Sequence, residues 1–188
     1  DIKKNKFSKE TDRYFPSSPY AASKASSDHL VFAYSRTYKI PSIITNCCNN
    51  YGPGQHNEKL IPTLIESIKN NYPLGLYGNG KNEREWIYVD DHCDALIKIM
   101  KRGKIGEQYN IGSGFISNNI KIAKNLKKIY YEVFKIKSKS EIIFIKDRPG
   151  HDKRYALNFK KLVKEIGWKP KIKFKDGIKK TLEWYCKR

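Results

Sequence analysis

Short apolar runs alternate with longer segments of helical periodicity along almost the whole sequence. Apolar residues that recur every three or four positions predict helices, whereas short apolar or alternating runs predict strands. We therefore predict helices over 20–38, 58–71, 90–101, 118–134, 159–166 and 175–187, and strands over 42–46, 74–77, 85–89, 109–112 and 141–146. Turn-forming residues predict loops at 49–54 and 148–151. Alternating strands and helices favour an α/β fold.

The charge of the chain limits its classes of partner. The formal net charge is +19, from 38 Lys and Arg against 19 Asp and Glu, and such an excess favours an anionic partner. The lysines are scattered rather than clustered, so we interpret most of the charge as compositional bias and expect no nucleic-acid partner. No apolar run approaches the ~20 residues that cross a bilayer, so we expect no membrane partner.

The cysteines, the histidines and the first residues bear on compartment and metal binding. The four Cys form no C-x-x-C pair and the four His show no ligand spacing, so no metal site is predicted. Residues 1–5 lack the apolar core of a signal peptide, and a reduced, cytoplasmic protein is the simplest interpretation. The chain does not start with Met, so we expect it to be a piece of a longer protein.

A tyrosine followed four positions later by a lysine can form an acid–base pair, because positions i and i+4 share one face of a helix. A nearby ammonium favours the phenolate form of a tyrosine, and a phenolate can take a proton from a substrate hydroxyl. Three such pairs occur, at Tyr20/Lys24, Tyr77/Lys81 and Tyr131/Lys135. That number is close to chance for a chain so rich in Tyr and Lys, so the spacing alone does not select one pair.

Sequence context selects the first pair. Residues 18–29 (SPYAASKASSDH) closely resemble the active-site helix of the extended short-chain dehydrogenase/reductase family. Residues 44–53 (ITNCCNNYGP), 58–62 (EKLIP) and 84–92 (REWIYVDDH) extend that resemblance in the same order. Residues 147–156 (DRPGHDKRYA) narrow it to the nucleotide-sugar 4,6-dehydratases, most of all the dTDP-glucose type. One departure is Glu85, because the family usually has Asp before the Trp.

The resemblance implies an NAD-dependent lyase of deoxysugar biosynthesis that converts dTDP-glucose to its 4-keto-6-deoxy product. It implies that Tyr20 removes the proton of the sugar 4-hydroxyl while Lys24 holds it toward phenolate, and that Tyr20, Lys24 and Asn50 contact NAD. Arg84 and Arg148 would supply permanent, bidentate charges for the diphosphate. The implied substrate-binding residues are Asn49, Lys59, Leu60, Tyr77, Arg84, Asn119, Arg148, His151 and Tyr155. The full-length protein is expected to be a homodimer.

The same resemblance sets the expected domains. It implies the C-terminal part of an NAD-binding Rossmann-type fold plus a smaller α/β substrate-binding domain. Residues 1–57 would end the Rossmann-type domain and carry the Tyr/Lys helix, and residues 58–188 would mainly bind the nucleotide sugar, with some segments returning to the Rossmann sheet. The 188 residues contain no glycine-rich dinucleotide turn. They also lack the family's Thr-Asp-Glu acid–base segment, so we expect this chain to be inactive by itself.

Two other interpretations stay open at this point. A nucleotide-sugar 4-epimerase or decarboxylase of the same family would use the same Tyr20/Lys24 pair, although residues 147–156 argue against it. A non-enzymatic basic binding remnant would explain the charge and the absent glycine-rich turn. Binding that weakens steeply with salt would identify such a polyanion binder.

Overall fold

The computed structural model describes residues 6–187, and the expectations drawn from residues 1–5 and 188 lie outside the described residues. The helices are α1 (Pro19–Tyr38), α2 (Leu60–Asn70), α3 (Val89–Arg102), α4 (Asn119–Phe134), α5 (Lys160–Ile166) and α6 (Phe174–Cys186). The strands are β1 (Ile44–Cys47), β2 (Asn49–Tyr51), β3 (Leu74–Tyr77), β4 (Glu83–Tyr88), β5 (Gln108–Ile111), β6 (Ile116–Asn118), β7 (Ile142–Ile145) and β8 (Arg154–Tyr155). The predicted α/β fold is confirmed.

Each predicted helix and strand is present, with ends that differ from the prediction by at most two residues. The prediction of a loop from residue 49 was wrong in its first part, because Asn49–Tyr51 forms β2 and pairs in parallel with β4. Strands β6 and β8 were not predicted either. These three short strands are polar, and they exist because β4 offers them hydrogen-bonding partners, so tertiary context overrides their weak strand propensity. Within residues 6–187, no helix is both long and apolar enough to span a membrane.

Strand β4 is the centre of the molecule. It pairs with β2 in parallel, with β6 in antiparallel orientation and with β8 in parallel. Two further pairs of parallel strands, β1 with β5 and β3 with β7, form separate sheets. Because only Cys48 separates β1 from β2, the chain passes at that residue from the β1–β5 sheet to the β4 sheet. Residues on both sides of Cys48 therefore lie where two sheets meet.

Two hydrophobic cores lie on opposite sides of this centre. The first is formed mainly by α2, α4, α6 and β3, and Trp86 and Tyr88 of β4 join it. The second is formed mainly by β5, α3 and α5 around Trp168, and Ile87 of β4 joins it. Successive side chains of a strand point to opposite faces, so β4 contributes to both cores in alternation.

Glu85 of β4 hydrogen-bonds to two other segments of the chain where the two cores meet. Its carboxylate is completely buried and accepts three backbone hydrogen bonds, from Ser113 N and Gly114 N at 2.7 Å and from Leu157 N at 2.8 Å. A Cβ added at Gly112 would lie 2.6 Å from Glu85 Oε1, so the backbone there approaches the carboxylate as closely as glycine allows. The residue that departs from the family pattern therefore has a structural role in this chain.

Candidate active site

The first turn of α1 presents Tyr20. Ser18 caps the helix, since its Oγ accepts a hydrogen bond from Ala21 N at 3.1 Å, and Pro19 occupies the first helical position. Tyr20 is 75% exposed, and Lys24 is exposed one turn later on the same face. The tyrosine hydroxyl is thus held at a helix start and open to a substrate.

The other two Tyr/Lys pairs lack this geometry. Tyr77 ends β3, and the turn through Gly78 and Gly80 separates it from Lys81. Tyr131 lies in α4, but Lys135 is the left-handed cap of that helix, with φ +59°. Only the pair in α1 has both members within one helix, which supports the choice that the sequence context made.

Lys24 lies near Cys47, at the point where the chain passes between the two sheets. Burial raises the pKa of the Cys47 thiol, and Lys24 is near enough to lower it in part. Asn50 Nδ2 lies 3.4 Å from Cys47 Sγ and donates to Cys48 O at 3.2 Å. Asn50 Oδ1 is buried and has no hydrogen-bond partner among the described residues. Because leaving such an oxygen unpaired is costly, it marks a place where a ligand or water can donate a hydrogen bond.

Two more predicted site residues flank this junction. Tyr155, on β8, donates its hydroxyl to Cys47 O at 3.1 Å. Burial raises the pKa of Tyr155 far above its usual value, so this phenol stays protonated. Asn49, the first residue of β2, lies opposite Trp86 in the parallel register. The structure therefore brings Lys24, Asn49, Asn50 and Tyr155 around one sheet junction.

Arg84 is a desolvated cation next to this group. Its guanidinium donates to two neutral carbonyl oxygens, from Nη1 to Glu83 O at 2.8 Å and from Nη2 to Asp152 O at 2.7 Å. Burial lowers the pKa of Arg84 most, and the positive charge of Arg148 lowers it further, against the carboxylates of Asp152 and Asp147. Within the described part of the chain, no direct ion pair neutralises Arg84. Two neighbouring cations, of which Arg84 is half-buried, fit an anion with more than one charge.

The loop after β7 completes a cavity of about 430 Å³. His151 Nδ1 lies 2.7 Å from Asp147 Oδ1, and Arg148 N donates to that same oxygen at 2.9 Å. The contact with His151 is the main cause that lowers the pKa of Asp147. The His151 ring meets the Tyr77 ring edge-on, with centroids 6.2 Å apart. Asp147, His151, Gly78 and Asn82 are among the residues that line the cavity.

Asn119 lies beside the turn that borders the cavity. It is the first residue of α4, is 93% buried, and its Oδ1 has no hydrogen-bond partner among the described residues. The next residue, Ile120, donates its N–H to Gly80 O at 3.2 Å, which holds the helix start against the Gly78–Gly80 turn. A second amide oxygen without a partner among the described residues thus lies at the start of α4, which contacts the Gly78–Gly80 turn.

Lys59 and Leu60 are placed at the start of α2. The Lys59 ammonium pairs with Glu58 at 2.7 Å and is exposed, and Leu60 is half-buried. In residues 6–187 no hydrogen bond joins either of them to another predicted site residue. Their role in the site stays a prediction.

Sequence reasoning missed Gln55, Cys47 and Asp152. Gln55 Nε2 donates to Asn50 O at 2.9 Å, while its Oε1 is buried without a partner among the described residues. Gln55 could have been found in the sequence, because it is an amide side chain directly after the glycine-rich turn that follows Asn50. Asp152 lies inside the family segment at residues 147–156, but only the structure shows its bond to Arg84.

Comparison with known proteins identifies the family. A family model described as GDP-mannose 4,6 dehydratase matches residues 1–181, and the chain belongs to this family. The chain is 49% identical over 178 residues to a dTDP-glucose 4,6-dehydratase of Shigella flexneri, covering 94% of this chain and 49% of that protein. The resemblance seen in the sequence is thereby confirmed. The chain spans about half the length of the curated relatives it matches.

Solved structures share the fold. The crystal structure of DesIV, a dTDP-glucose 4,6-dehydratase from Streptomyces venezuelae with NAD bound, has a TM-score of 0.91 and 39% identity, over 98% of this chain and 56% of that one. A UDP-glucose 4-epimerase from Thermotoga maritima has a TM-score of 0.89 but 27% identity, over the whole of this chain and 59% of the other. The fold is thus shared by both reaction types, while identity is higher to the dehydratase.

Proposed function

We propose that this chain is part of a nucleotide-sugar 4,6-dehydratase that converts dTDP-glucose to dTDP-4-keto-6-deoxyglucose with NAD as bound cofactor. The observation that carries the proposal is the exposed Tyr20/Lys24 pair, whose lysine acts on Cys47 next to Asn50, together with the neighbouring cations Arg84 and Arg148. The identity to dehydratases supports the choice of reaction and of the thymidine nucleotide.

The residues around Asn50 fit the nicotinamide end of NAD. The buried, unpaired Asn50 Oδ1 needs a hydrogen-bond donor, and Lys24 offers a cation to ribose hydroxyls one helix turn from Tyr20. We infer that Tyr20, Lys24 and Asn50 hold this end of the cofactor. When bound, NAD supplies the hydride acceptor for oxidation at sugar C4.

Tyr20 acts as the base toward the sugar 4-hydroxyl. Its hydroxyl is exposed, and the Lys24 ammonium on the same face stabilises the negative charge of a phenolate that accepts this proton. Tyr155 cannot take this role, because burial keeps it protonated and its hydroxyl already donates to Cys47 O. We assign Tyr155 to substrate positioning.

Arg84 and Arg148 bind the diphosphate. A diphosphate matches two adjacent guanidinium groups and gives Arg84 charged acceptors in addition to its two carbonyl oxygens, because a guanidinium has further N–H donors. The aromatic rings of Tyr77 and His151 at the neighbouring cavity fit the nucleoside, and Asn49, Lys59, Leu60 and Asn119 complete the proposed substrate contacts.

The proposal includes the two domains expected from the sequence, residues 1–57 and 58–188. It is supported by the two hydrophobic cores, since α3, β5 and α5 lie in the second domain by sequence yet pack on the side of β1. It also includes a cytoplasmic homodimer of the full-length protein. The four free cysteines are compatible with a reducing compartment, and α1 exposes apolar side chains such as Leu30 and Tyr34 for coverage by other protein surface.

The test is Tyr20→Phe in the full-length protein. Loss of a general base typically lowers the rate about 10²–10⁴-fold, so kcat for formation of the 4-keto product should fall by that amount while dTDP binding persists. Tyr131→Phe is the matched control, since Tyr131 is also exposed on a helix with a lysine four residues later, and it should retain activity. Normal turnover of Tyr20→Phe, or formation of a 4-epimer instead of the 4-keto product by the unmodified protein, would overturn the proposal.

A further inference from the structure

Residues 147–152 form a strap between the cavity and the start of α1. At its first end a Cβ added to Gly78 would lie 2.6 Å from Asp147 Oδ2. Toward its other end Gly150, with φ +67°, lies so close to Ser17 that an added Cβ would be 3.0 Å from the Ser17 carbonyl oxygen. The strap is therefore in close contact with the cavity turn and with the residues just before α1.

Asp152 makes hydrogen bonds in both directions at the end of the strap. Its carbonyl oxygen accepts from Arg84 Nη2 at 2.7 Å and from Asn82 Nδ2 at 3.1 Å. Its carboxylate Oδ1 accepts from Ser17 Oγ at 2.9 Å. Ser17 directly precedes Ser18, whose side chain caps α1. One residue therefore connects the half-buried Arg84 guanidinium to the helix turn that carries the proposed base.

The first turn of α1 depends on such contacts within the described chain. None of the residues of α1 is buried, and Tyr20 is among the most exposed of them. The Ser17–Asp152 hydrogen bond and the contact of Gly150 with Ser17 act directly at that turn.

We propose that Asp152 is a positioning residue that couples binding of a nucleoside diphosphate at Arg84 to the placement of Tyr20. The inference rests on the proposed function, in which Arg84 binds the diphosphate and Tyr20 is the base. A diphosphate that immobilises the guanidinium also immobilises the Asp152 carbonyl that it contacts, and Ser17 then restrains the helix start. Nucleotide binding at one end of the strap thereby orders the base at the other end.

The experiment compares full-length protein with its Ser17→Ala, Asp152→Asn and Ser35→Ala variants. Asp152→Asn retains the backbone carbonyl and an amide oxygen that can accept from Ser17, so it is the conservative replacement. Ser35→Ala is the control, because Ser35 Oγ bonds to Ile40 O at the far end of the same helix. Hydrogen exchange of amides in the first turn of α1 is measured with and without dTDP, together with dTDP affinity and with kcat and KM for dTDP-glucose.

We expect dTDP to slow exchange in the first turn of the unmodified protein and of the Ser35→Ala and Asp152→Asn variants. In Ser17→Ala this slowing should be lost and kcat should fall roughly 3- to 10-fold, the range for one hydrogen bond, while dTDP affinity stays within about twofold. A structural role alone would not remove the dTDP-dependent difference.

The outcomes separate the two proposals. Failure of the unmodified protein to bind dTDP refutes the proposed function and the coupling together. Binding of dTDP without any slowing in the first turn, or equal behaviour of Ser17→Ala and Ser35→Ala, refutes the coupling and leaves the proposed function intact.

Discussion

Glu85 offers the sharpest test of how the two cores are joined. Replacing it with Ala removes acceptors from three backbone N–H groups, of which Leu157 N is buried. A hydrogen bond to a charged acceptor contributes about 1.5–3 kcal/mol, and a buried donor left unpaired costs about 1–3 kcal/mol. The Ser113 and Gly114 donors lie in a turn that water can reach in part. We therefore expect Glu85→Ala to lower the free energy of unfolding by roughly 3–5 kcal/mol.

Glu85→Gln refines this expectation. The amide oxygen can keep the bonds from Ser113 and Gly114, but its NH₂ group then faces the Leu157 N–H, donor against donor. One bond is lost, so we expect a loss of about 1.5–3 kcal/mol, between that of Ala and the unmodified protein. The carboxylate-to-amide change retains the size of the side chain, which separates lost hydrogen bonding from lost packing.

The measurement is urea unfolding of the full-length protein, supported by native-state hydrogen exchange at the Leu157 amide. Glu66→Ala is the control, because Glu66 is exposed on α2, and its effect should stay within about 0.5 kcal/mol. If Glu85→Ala were as stable as Glu66→Ala, or if exchange at the Leu157 amide were unchanged, Glu85 would not be the residue that holds the two cores together.

Three further expectations concern the site. Arg84→Ala or Arg148→Ala should each weaken dTDP binding by roughly 1.5–3 kcal/mol in calorimetry without affecting free glucose, and unchanged affinity in both would remove them from the site. Contact with His151 lowers the pKa of Asp147 below 3.8, so its stabilising contacts persist above the unfolded-state pKa and are lost as pH falls through the folded-state pKa. A titration midpoint by NMR at or above 3.8 would contradict this. The 188-residue chain by itself should show no 4-keto product and no tight NAD binding, and measurable turnover with NAD and dTDP-glucose would refute that expectation.

Much of the fold was predictable because its longer elements carry their own periodicity. The helix from Asn119 shows apolar side chains at helical spacing and a preceding Asn that caps it, so both type and start follow from local rules. The strand Asn49–Tyr51 carries no such signal. It forms because β4 provides a parallel partner for residues whose side chains favour turns. The hydrophobic periodicity of a segment does not indicate which distant segment it pairs with.

The site was predictable mainly where family segments named its residues. Physical reasoning from spacing left three Tyr/Lys pairs equivalent. The structure distinguishes them, because strand β3 ends at Tyr77 before the turn at Gly78 and helix α4 ends before Lys135. The contacts of Asp152 were not predicted. Arg84 donates to its backbone carbonyl oxygen, and every residue type has such an oxygen, so the sequence does not indicate which one is used. A hydrogen bond to a backbone atom 68 residues away in the chain can be identified only from the three-dimensional structure.

Burial separates the proposed roles of two tyrosines. Tyr20 and Tyr155 have the same phenol. Tyr155 contacts Cys47 O, and Tyr20 lies one helix turn before Lys24, whose charge acts on Cys47. A base must exchange its proton with substrate, so it needs access and a nearby positive charge, and Tyr20 has an exposed hydroxyl with Lys24 one turn away. A residue that only positions substrate keeps its proton. Burial raises the pKa of Tyr155, its O–H is donated to Cys47 O, and its oxygen can still accept a hydrogen bond. The burial that excludes Tyr155 as a base also holds it in place for its proposed role, in which its oxygen accepts a hydrogen bond from the substrate.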